Sequence, residues 1–233
     1  MFDFIAFDAD DTLWENESYY KKAEQKLTNL LAEYRVSEFL VDELLKTEMR
    51  NIATYGYGIK SFTLSMIETA IELTEGKIAA GQIQKIVGFG KEMVATDVVL
   101  LKGGWETIQT LSSSHTLMII TKGDLFDQER KVARSGLGDS FKYVEIVSEK
   151  TSEIYEKILA KYDIAPHCFL MIGNSLKSDV LPVVEIGGQA VYIPNSTTWV
   201  HEMVSEEESR KNSYHELEHL GQLPRLLDKL SER

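Results

Sequence analysis

The chain has very little cysteine and a shortage of positive charge. Cys168 is the only cysteine among 233 residues, so a disulfide framework is excluded, no thiolate metal site is indicated, and its apolar neighbours predict a buried thiol. Lysine and arginine number 25 against 37 aspartates and glutamates, which gives a formal net charge of −12 with no basic block. Because this charge repels phosphate backbones and anionic lipids, neither nucleic acid nor a membrane is an expected partner.

Long apolar runs are also missing. No stretch approaches the roughly 20 apolar residues of a membrane span. Met1 leads straight into a short apolar run and not into a signal peptide, so we expect a cytoplasmic protein. The hydrophobic fraction of 43% is enough for one sizeable core and an accessory module.

The spacing of apolar residues divides the chain into three parts. Residues 2–7 (FDFIAF) predict a buried strand, whereas residues 15–96 contain successive helical patterns and no convincing strand. From residue 116 onward strands alternate with helices, which predicts a parallel sheet covered on both faces. We therefore predict an α/β fold in which a Rossmann-like core (1–14 and 97–233) is interrupted by an all-α insertion (15–96).

Polar side chains follow the predicted strands, where open α/β sheets bind their ligands. The candidates are Asp8, Asp10, Thr121, Lys122, Lys150, Asn174 and Asp179. The first strand is followed by a crowded group, since three of the four residues 8–11 are aspartates: Asp8, Asp10 and Asp11. Two carboxylates about 4 Å apart repel by about 4 kcal/mol at an effective dielectric near 20. Acids that need compensation, together with hydroxyls and lysine, indicate a metal-assisted phosphoryl site.

Four ordered motifs resemble those of the haloacid dehalogenase-like superfamily, whose members are mostly phosphatases. The motifs are FDADDTLW, MIITKGD, Lys150 in SEKTSEIYEKIL, and MIGNSLKSD. A lone D-x-D pair is common by chance, but all four motifs in order are specific. The resemblance spans essentially the whole chain.

The resemblance implies a role for each candidate. Asp8 is expected to attack phosphorus and form an aspartyl-phosphate, and Asp10 to act as general acid and then as general base. The phosphate-binding residues are then Asp8, Thr121, Lys122 and Lys150. Mg²⁺ is the implied cofactor, with Asp8, Asp10, Asn174 and Asp179 as its candidate ligands. Asp11 is expected to support the loop, and the implied substrate is a small phosphorylated metabolite.

Asn174 departs from the family pattern, which usually has an aspartate at that position. Three interpretations remain open: Asn174 ligates the metal, Asp179 does so directly or through water, or the metal site is degraded. The alternative functions are a phosphomutase, a 2-haloacid dehalogenase and a non-catalytic phosphometabolite-binding protein. A dehalogenase would attack carbon without Mg²⁺ and would not need a second acid at Asp10. The oligomeric state is not indicated.

Two further segments carry weaker signals. The helical insertion resembles a cap that closes over the site and selects the substrate, and Tyr55, Tyr57 and Lys60 are its candidate specificity residues. A loop that only connects two helices is an equally good interpretation of this segment. Residues 215–219 (HELEH) match the H-E-x-x-H pattern of zinc peptidases. No further histidine or cysteine follows, so we expect a partly exposed polar helix face there.

Overall fold

The computed structural model describes residues 2–34, 38–195 and 213–231. They form two compact units. The α/β unit contains the described residues within 1–17, 98–122 and 130–233, and the helical unit contains those within 18–97 and 123–129. The sequence predicts residues 15–17 in the insertion and residues 97 and 123–129 in the core. In the structure, residues 15–17 belong to the α/β unit, whereas residues 97 and 123–129 belong to the helical unit.

The described part of the α/β unit contains a parallel sheet of six strands. They are β1 (Phe4–Phe7), β2 (Thr116–Lys122), β3 (Tyr143–Val147), β4 (Phe169–Gly173), β5 (Gln189–Tyr192) and β6 (His215–Glu216). The strand order is β3-β2-β1-β4-β5-β6, so β1 lies at the centre. Phe7 is in register with Ile119 on one side and with Ile172 on the other. The residues that follow β1 therefore emerge between the carboxyl ends of β2 and β4.

Nine α-helices are described. In the first half of the chain they are α1 (Glu17–Leu30), α2 (Leu40–Tyr55), α3 (Ile59–Leu73), α4 (Ala80–Ala95) and α5 (Gly104–Ser112). In the second half they are α6 (Leu125–Arg134), α7 (Ser152–Lys161), α8 (Leu181–Glu185) and α9 (Leu223–Ser231). Within the described residues, no helix has the combination of length and apolar character that a membrane crossing requires.

Apolar side chains cover both faces of the sheet, because neighbouring residues of a strand point to opposite sides. Ile5 and Phe7 belong to a core cluster with side chains from α5 and α9, whereas Ala6 belongs to a second cluster with side chains from α7 and α8. Burial on both faces explains the continuous apolar strands of the sequence. The α/β prediction is confirmed.

The helical unit has its own core. Leu27, Leu44, Phe62, Met66 and Ile86 bring together four helices at helical spacing. Between α2 and α3 the chain turns through Gly56 and Gly58, whose φ angles of 70° and 113° favour glycine. No β-strand is found among the described residues of this unit, as the sequence predicted.

The structure corrects two expectations. Residues 215–219 do not form a helix, because His215 and Glu216 pair with Val191 and Tyr192 as the edge strand β6. The two histidines of HELEH therefore do not share a helical face, which removes the basis of the zinc motif. Cys168 is partly exposed and not buried, because it ends a short 3₁₀ turn before β4.

Candidate active site

The loop after β1 is a tight turn that carries the aspartates. The backbone N–H of Asp8 donates to the carbonyl of Ile172 at 2.8 Å, which ties the start of the loop to β4. Asp11 adopts a φ of 60°, a conformation that aspartate tolerates better than most residues. Its carboxylate accepts hydrogen bonds from the backbone N–H groups of Asn16 and Glu17, at 3.0 and 2.9 Å, where α1 begins. Asp11 thus supports the loop, as expected.

A buried lysine joins two carboxylates at the centre of the site. Lys150 Nζ lies 2.5 Å from Asp8 Oδ1 and 2.6 Å from Asp179 Oδ1. The side chains of Lys150 and Asp179 are only 2% and 1% exposed. Because burying a charge is costly unless it is paired, these three side chains must be considered together, as the Lys150 cluster. The Lys150 cluster brings together three of the residues that the sequence predicted for the site.

The pKa values in the Lys150 cluster reflect the competition between burial and ion pairing. Burial raises the pKa of Asp8, Lys150 opposes this rise, and the charges of Asp179 and Asp10 add to it, so that the resulting pKa is about 7. Burial alone would lower the pKa of Lys150, but the charges of Asp179 and Asp8 raise it above its usual range. The lysine is therefore a permanent cation next to Asp8.

Gly173 makes room for the Asp179 carboxylate. A Cβ on Gly173 would lie 2.2 Å from Asp179 Oδ2, which no packed structure allows. That oxygen also accepts the backbone N–H of Ser175 at 3.0 Å. Asp179 belongs to a π-helical turn at Leu176–Val180, a distortion that recurs at functional sites. The glycine at the end of β4 is thus explained by the close approach of the carboxylate.

Asn174 lies beside the predicted nucleophile. Thr12 Oγ1 is 3.0 Å from Asp8 Oδ2 and 3.3 Å from Asn174 Oδ1, so one hydroxyl lies between the two oxygens. Asn174 is partly exposed, in contrast to the buried Asp179. Asn174 is therefore a partly exposed residue whose amide oxygen is linked to Asp8 through the Thr12 hydroxyl.

Asp10 has partners of its own. Trp14 Nε1 donates to Asp10 Oδ1 at 2.7 Å, and Lys131 Nζ is 3.0 Å from both carboxylate oxygens. Lys131 Nζ also donates to Asn16 Oδ1 at 2.8 Å. The Asp10 side chain is thus held in one orientation.

Thr121 and Lys122 lie at the carboxyl end of β2. Since Phe7 is opposite Ile119, Thr121 is level with Ala9, next to the aspartate loop. Thr121 is buried, and Lys122 Nζ donates to Ser178 Oγ at 3.0 Å. Both residues therefore reach the same edge of the sheet as Asp8.

The three specificity candidates all lie in the helical unit. Tyr55 is exposed at the end of α2, and Tyr57 is partly exposed. Lys60 Nζ donates to Asp124 Oδ2 at 3.0 Å and lies 5.6 Å from the centre of the Phe126 ring. Lys60 is therefore tied to the short segment 123–129 of the same unit.

The sequence analysis assigned no role to three residues that contact the site. Thr12 and Trp14 were quoted within the first motif, and their spacing from the aspartates was the available signal. Lys131 had no such signal, because a cation in the last turn of a helix is favoured by the helix dipole alone. Its contact with Asp10 is visible only in the folded chain.

The donors at the site suit a hard cation such as Mg²⁺. Among the described residues, no three His, Cys, Asp or Glu side chains form a group that could hold a metal by themselves. The Asp8 carboxylate, the Asn174 amide and backbone carbonyls nevertheless provide oxygen ligands, which Mg²⁺ prefers. Such an ion would also offset the repulsion among the aspartates. The donor chemistry therefore fits Mg²⁺, and uncharged oxygens, from the Asn174 amide and backbone carbonyls, would be among its ligands.

The fold and the site define a Rossmann-like hydrolase with acids at the carboxyl ends of its central strands. A model of the haloacid dehalogenase-like hydrolases matches residues 2–187. A haloacid dehalogenase-like family hydrolase from Xanthomonas campestris is 39% identical, with a TM-score of 0.87, over 98% of this chain and 91% of that one. The chain therefore belongs to the haloacid dehalogenase-like hydrolase family.

More distant structures share the fold. The HAD-hydrolase YfnB from Bacillus subtilis, solved with magnesium bound, is 18% identical, with a TM-score of 0.67, over 97% of this chain and 99% of that one. The L-2-haloacid dehalogenase from Xanthobacter autotrophicus is 16% identical, with a TM-score of 0.64, over 98% and 99%. A comparison with curated proteins found no match. At these identities the similarity extends to the fold alone, so the reaction must be argued from the site.

Proposed function

We propose that the protein is a Mg²⁺-dependent phosphatase that hydrolyses a small phosphorylated metabolite through an aspartyl-phosphate. The observation that carries the proposal is a second carboxylate. Asp10 lies two residues after Asp8, which pairs with the buried Lys150, and Lys131 holds Asp10 in place. When a carboxylate displaces a halide from carbon, the halide leaves as a stable anion and needs no proton. When a carboxylate attacks a phosphate monoester, the leaving oxygen needs a proton, and Asp10 supplies it.

The residues of the site divide the reaction between them. Asp8 attacks phosphorus, the bond to the leaving oxygen breaks, and Asp10 gives that oxygen its proton. Asp10 then takes a proton from the water that hydrolyses the aspartyl-phosphate, which restores both carboxyl groups. Lys150 holds Asp8 in place, and Lys150 and Thr121 hold phosphate oxygens. Bound Mg²⁺ would supply positive charge against the repulsion between the phosphate and Asp8.

The contacts of the fourth motif favour Asn174 over Asp179 as a direct metal ligand. One oxygen of Asp179 is 2.6 Å from Lys150 Nζ and the other accepts the Ser175 N–H, whereas Asn174 is a partly exposed residue. Replacement of Asn174 with aspartate should therefore tighten Mg²⁺ binding, measured by titration. An unchanged affinity would exclude Asn174 as a ligand and leave Asp179 as the candidate.

Hydrolysis of p-nitrophenyl phosphate tests the reaction. We expect turnover that requires Mg²⁺ and falls by more than about 10³-fold in Asp8→Asn, because the nucleophile is lost. Substitution of the exposed Lys102 with methionine serves as the control and should leave turnover unchanged. Absence of turnover in the wild-type protein, combined with chloride release from 2-chloropropionate without Mg²⁺, would replace the phosphatase with a dehalogenase.

The proposal assigns substrate selection to the helical unit, where Tyr55, Tyr57 and Lys60 are the candidates. An exposed lysine beside an aromatic ring, that of Phe126, suits an anionic metabolite. A panel of phosphorylated sugars, nucleotides and short acids should therefore be hydrolysed with a different order of preference by Lys60→Ala. If the order is unchanged, Lys60 only anchors the 123–129 segment through Asp124.

A further inference from the structure

The Asp10 carboxylate is held far more firmly than an exposed loop acid. Three donor contacts reach its two oxygens, one from Trp14 Nε1 at 2.7 Å and two from Lys131 Nζ at 3.0 Å. The Trp14 side chain is itself fully buried, so its N–H is a fixed donor. With both oxygens engaged, the carboxylate has one preferred orientation.

Lys131 is also restrained from its other side. An ammonium group has three N–H donors, and three oxygens lie within hydrogen-bond distance of Lys131 Nζ: two of Asp10 and Oδ1 of Asn16 at 2.8 Å. The Lys131 and Asp10 side chains are only 15% and 21% exposed. Exposed lysine–carboxylate pairs contribute little because both chains remain mobile, but this pair is largely shielded and has additional partners.

We propose that Lys131 is a positioning residue for the proton transfer by Asp10. The inference rests on the proposed phosphatase reaction. The contacts of Lys131 Nζ with both oxygens fix the direction in which the Asp10 carboxyl group faces. A proton donor that is already oriented before the bond to the leaving group breaks loses less freedom in the transition state, so its positioning accelerates the reaction.

The choice of leaving group separates a positioning role of Lys131 from a purely structural one, because loss of a structural contact would lower kcat/KM equally for all leaving groups. Phenol is a much weaker acid than p-nitrophenol, so phenyl phosphate depends more on proton donation than p-nitrophenyl phosphate, although the two have nearly the same shape. The value of kcat/KM reports the steps up to cleavage of that bond. We expect Lys131→Met to lower kcat/KM for phenyl phosphate by about 10-fold or more and for p-nitrophenyl phosphate by less than about 3-fold.

Two further variants separate positioning from folding. Lys131→Arg keeps a cation that can donate to both carboxylate oxygens, so it should restore most of the activity on phenyl phosphate. Asn16→Ala removes one further partner of Lys131 without changing Asp10, and it should show the same leaving-group dependence in weaker form. Lys102→Met, which changes an exposed lysine, should alter neither substrate's kcat/KM.

The outcomes distinguish this inference from the proposed function. If the wild-type protein hydrolyses neither ester, the phosphatase proposal fails and the role of Lys131 fails with it. If the wild-type protein hydrolyses both esters and Lys131→Met lowers both rates equally or not at all, only the role of Lys131 is wrong. If Lys131→Met does not fold, Asn16→Ala and Lys131→Arg decide, and equal effects on the two esters overturn the inference.

Discussion

The edge of the sheet and the four helices of residues 18–97 bury polar side chains of different kinds. At the edge of the sheet, the ionisable side chains of Asp8, Lys150 and Asp179 are buried together. Among the described residues between 18 and 97, the buried polar side chains are hydroxyls and one amide: Thr47, Asn51, Ser61, Ser65, Thr69 and Thr74. These two regions therefore use buried polarity for different purposes.

The difference lies in where the partners come from. Several hydroxyls of the helical unit donate to a carbonyl one turn earlier in their own helix, as Thr47 does to Glu43 at 3.0 Å and Ser65 to Ser61 at 3.0 Å. The charges of the α/β unit have no such local solution, since Lys150 meets an aspartate 142 residues away. Local partners satisfy a buried hydroxyl at little cost, whereas a cluster of charges from distant parts of the chain adds a desolvation cost that catalysis explains better than folding does.

Replacement of Lys150 with methionine should have the largest effect on stability. It leaves Asp8 and Asp179 buried without a cation, and removal of one partner from a buried ion pair costs about 3–5 kcal/mol. The free energy of unfolding, measured in urea, should fall by that amount. The double variant Lys150→Met/Asp179→Asn should recover part of the loss. A decrease in the free energy of unfolding of less than about 1 kcal/mol would show that burial of these ionisable groups costs no more than burial of the hydroxyls in the helical unit.

Replacement of Gly173 with alanine tests the same three side chains, because the added methyl group displaces Asp179. The new Cβ would lie 2.2 Å from Asp179 Oδ2, so the Asp179 side chain must leave the position in which it contacts Lys150. Overpacking of this kind costs about 1–3 kcal/mol. The free energy of unfolding and p-nitrophenyl phosphate turnover should both fall. Full activity in a correctly folded variant would mean that Asp179 does not need its observed position.

Replacement of Gly90 with alanine is the matched change in the helical unit. The new Cβ would lie 2.1 Å from Thr63 Oγ1, but alanine favours a helix over glycine by about 1 kcal/mol. The free energy of unfolding should therefore fall by only about 1 kcal/mol after both effects. In a Thr63→Ala background, where only the contact with Cβ at 3.1 Å remains, the same change should lower the free energy of unfolding by less. Turnover should fall less than in Gly173→Ala.

The sequence predicted the sheet and the acids at its edge because both follow from local patterns. Strands that are buried on both faces are continuous apolar runs, and the residues after them are necessarily at the carboxyl edge. The sequence did not predict α5 and α9. The end of the chain was also misread at HELEH, because the pairing of His215 with Val191 is a tertiary contact that overrides local pattern.

The contacts within the site were predictable only in part. The sequence selected Asp8, Lys150 and Asp179, which the structure brings within hydrogen-bond distance of one another through Lys150. It did not select Lys131, since the contact with Asp10 spans 121 residues and leaves no periodic trace. Motifs identify residues that follow strands, whereas a cation that reaches the site from a helix is found only by folding the chain.

The smallest effect, of opposite sign, is expected for Thr69→Val. Among the described residues the Thr69 hydroxyl is buried without a hydrogen-bond partner, so its replacement by a methyl group removes an uncompensated polar atom and should raise the free energy of unfolding by about 1 kcal/mol. Thr47→Val is the matched control, because the Thr47 hydroxyl donates to Glu43 and accepts from Arg50, and its loss should lower that free energy by about 1 kcal/mol. Urea unfolding of both variants measures the contrast. Equal losses would show that Thr69 has a partner in solution, and the helical unit would then leave no buried hydroxyl unsatisfied.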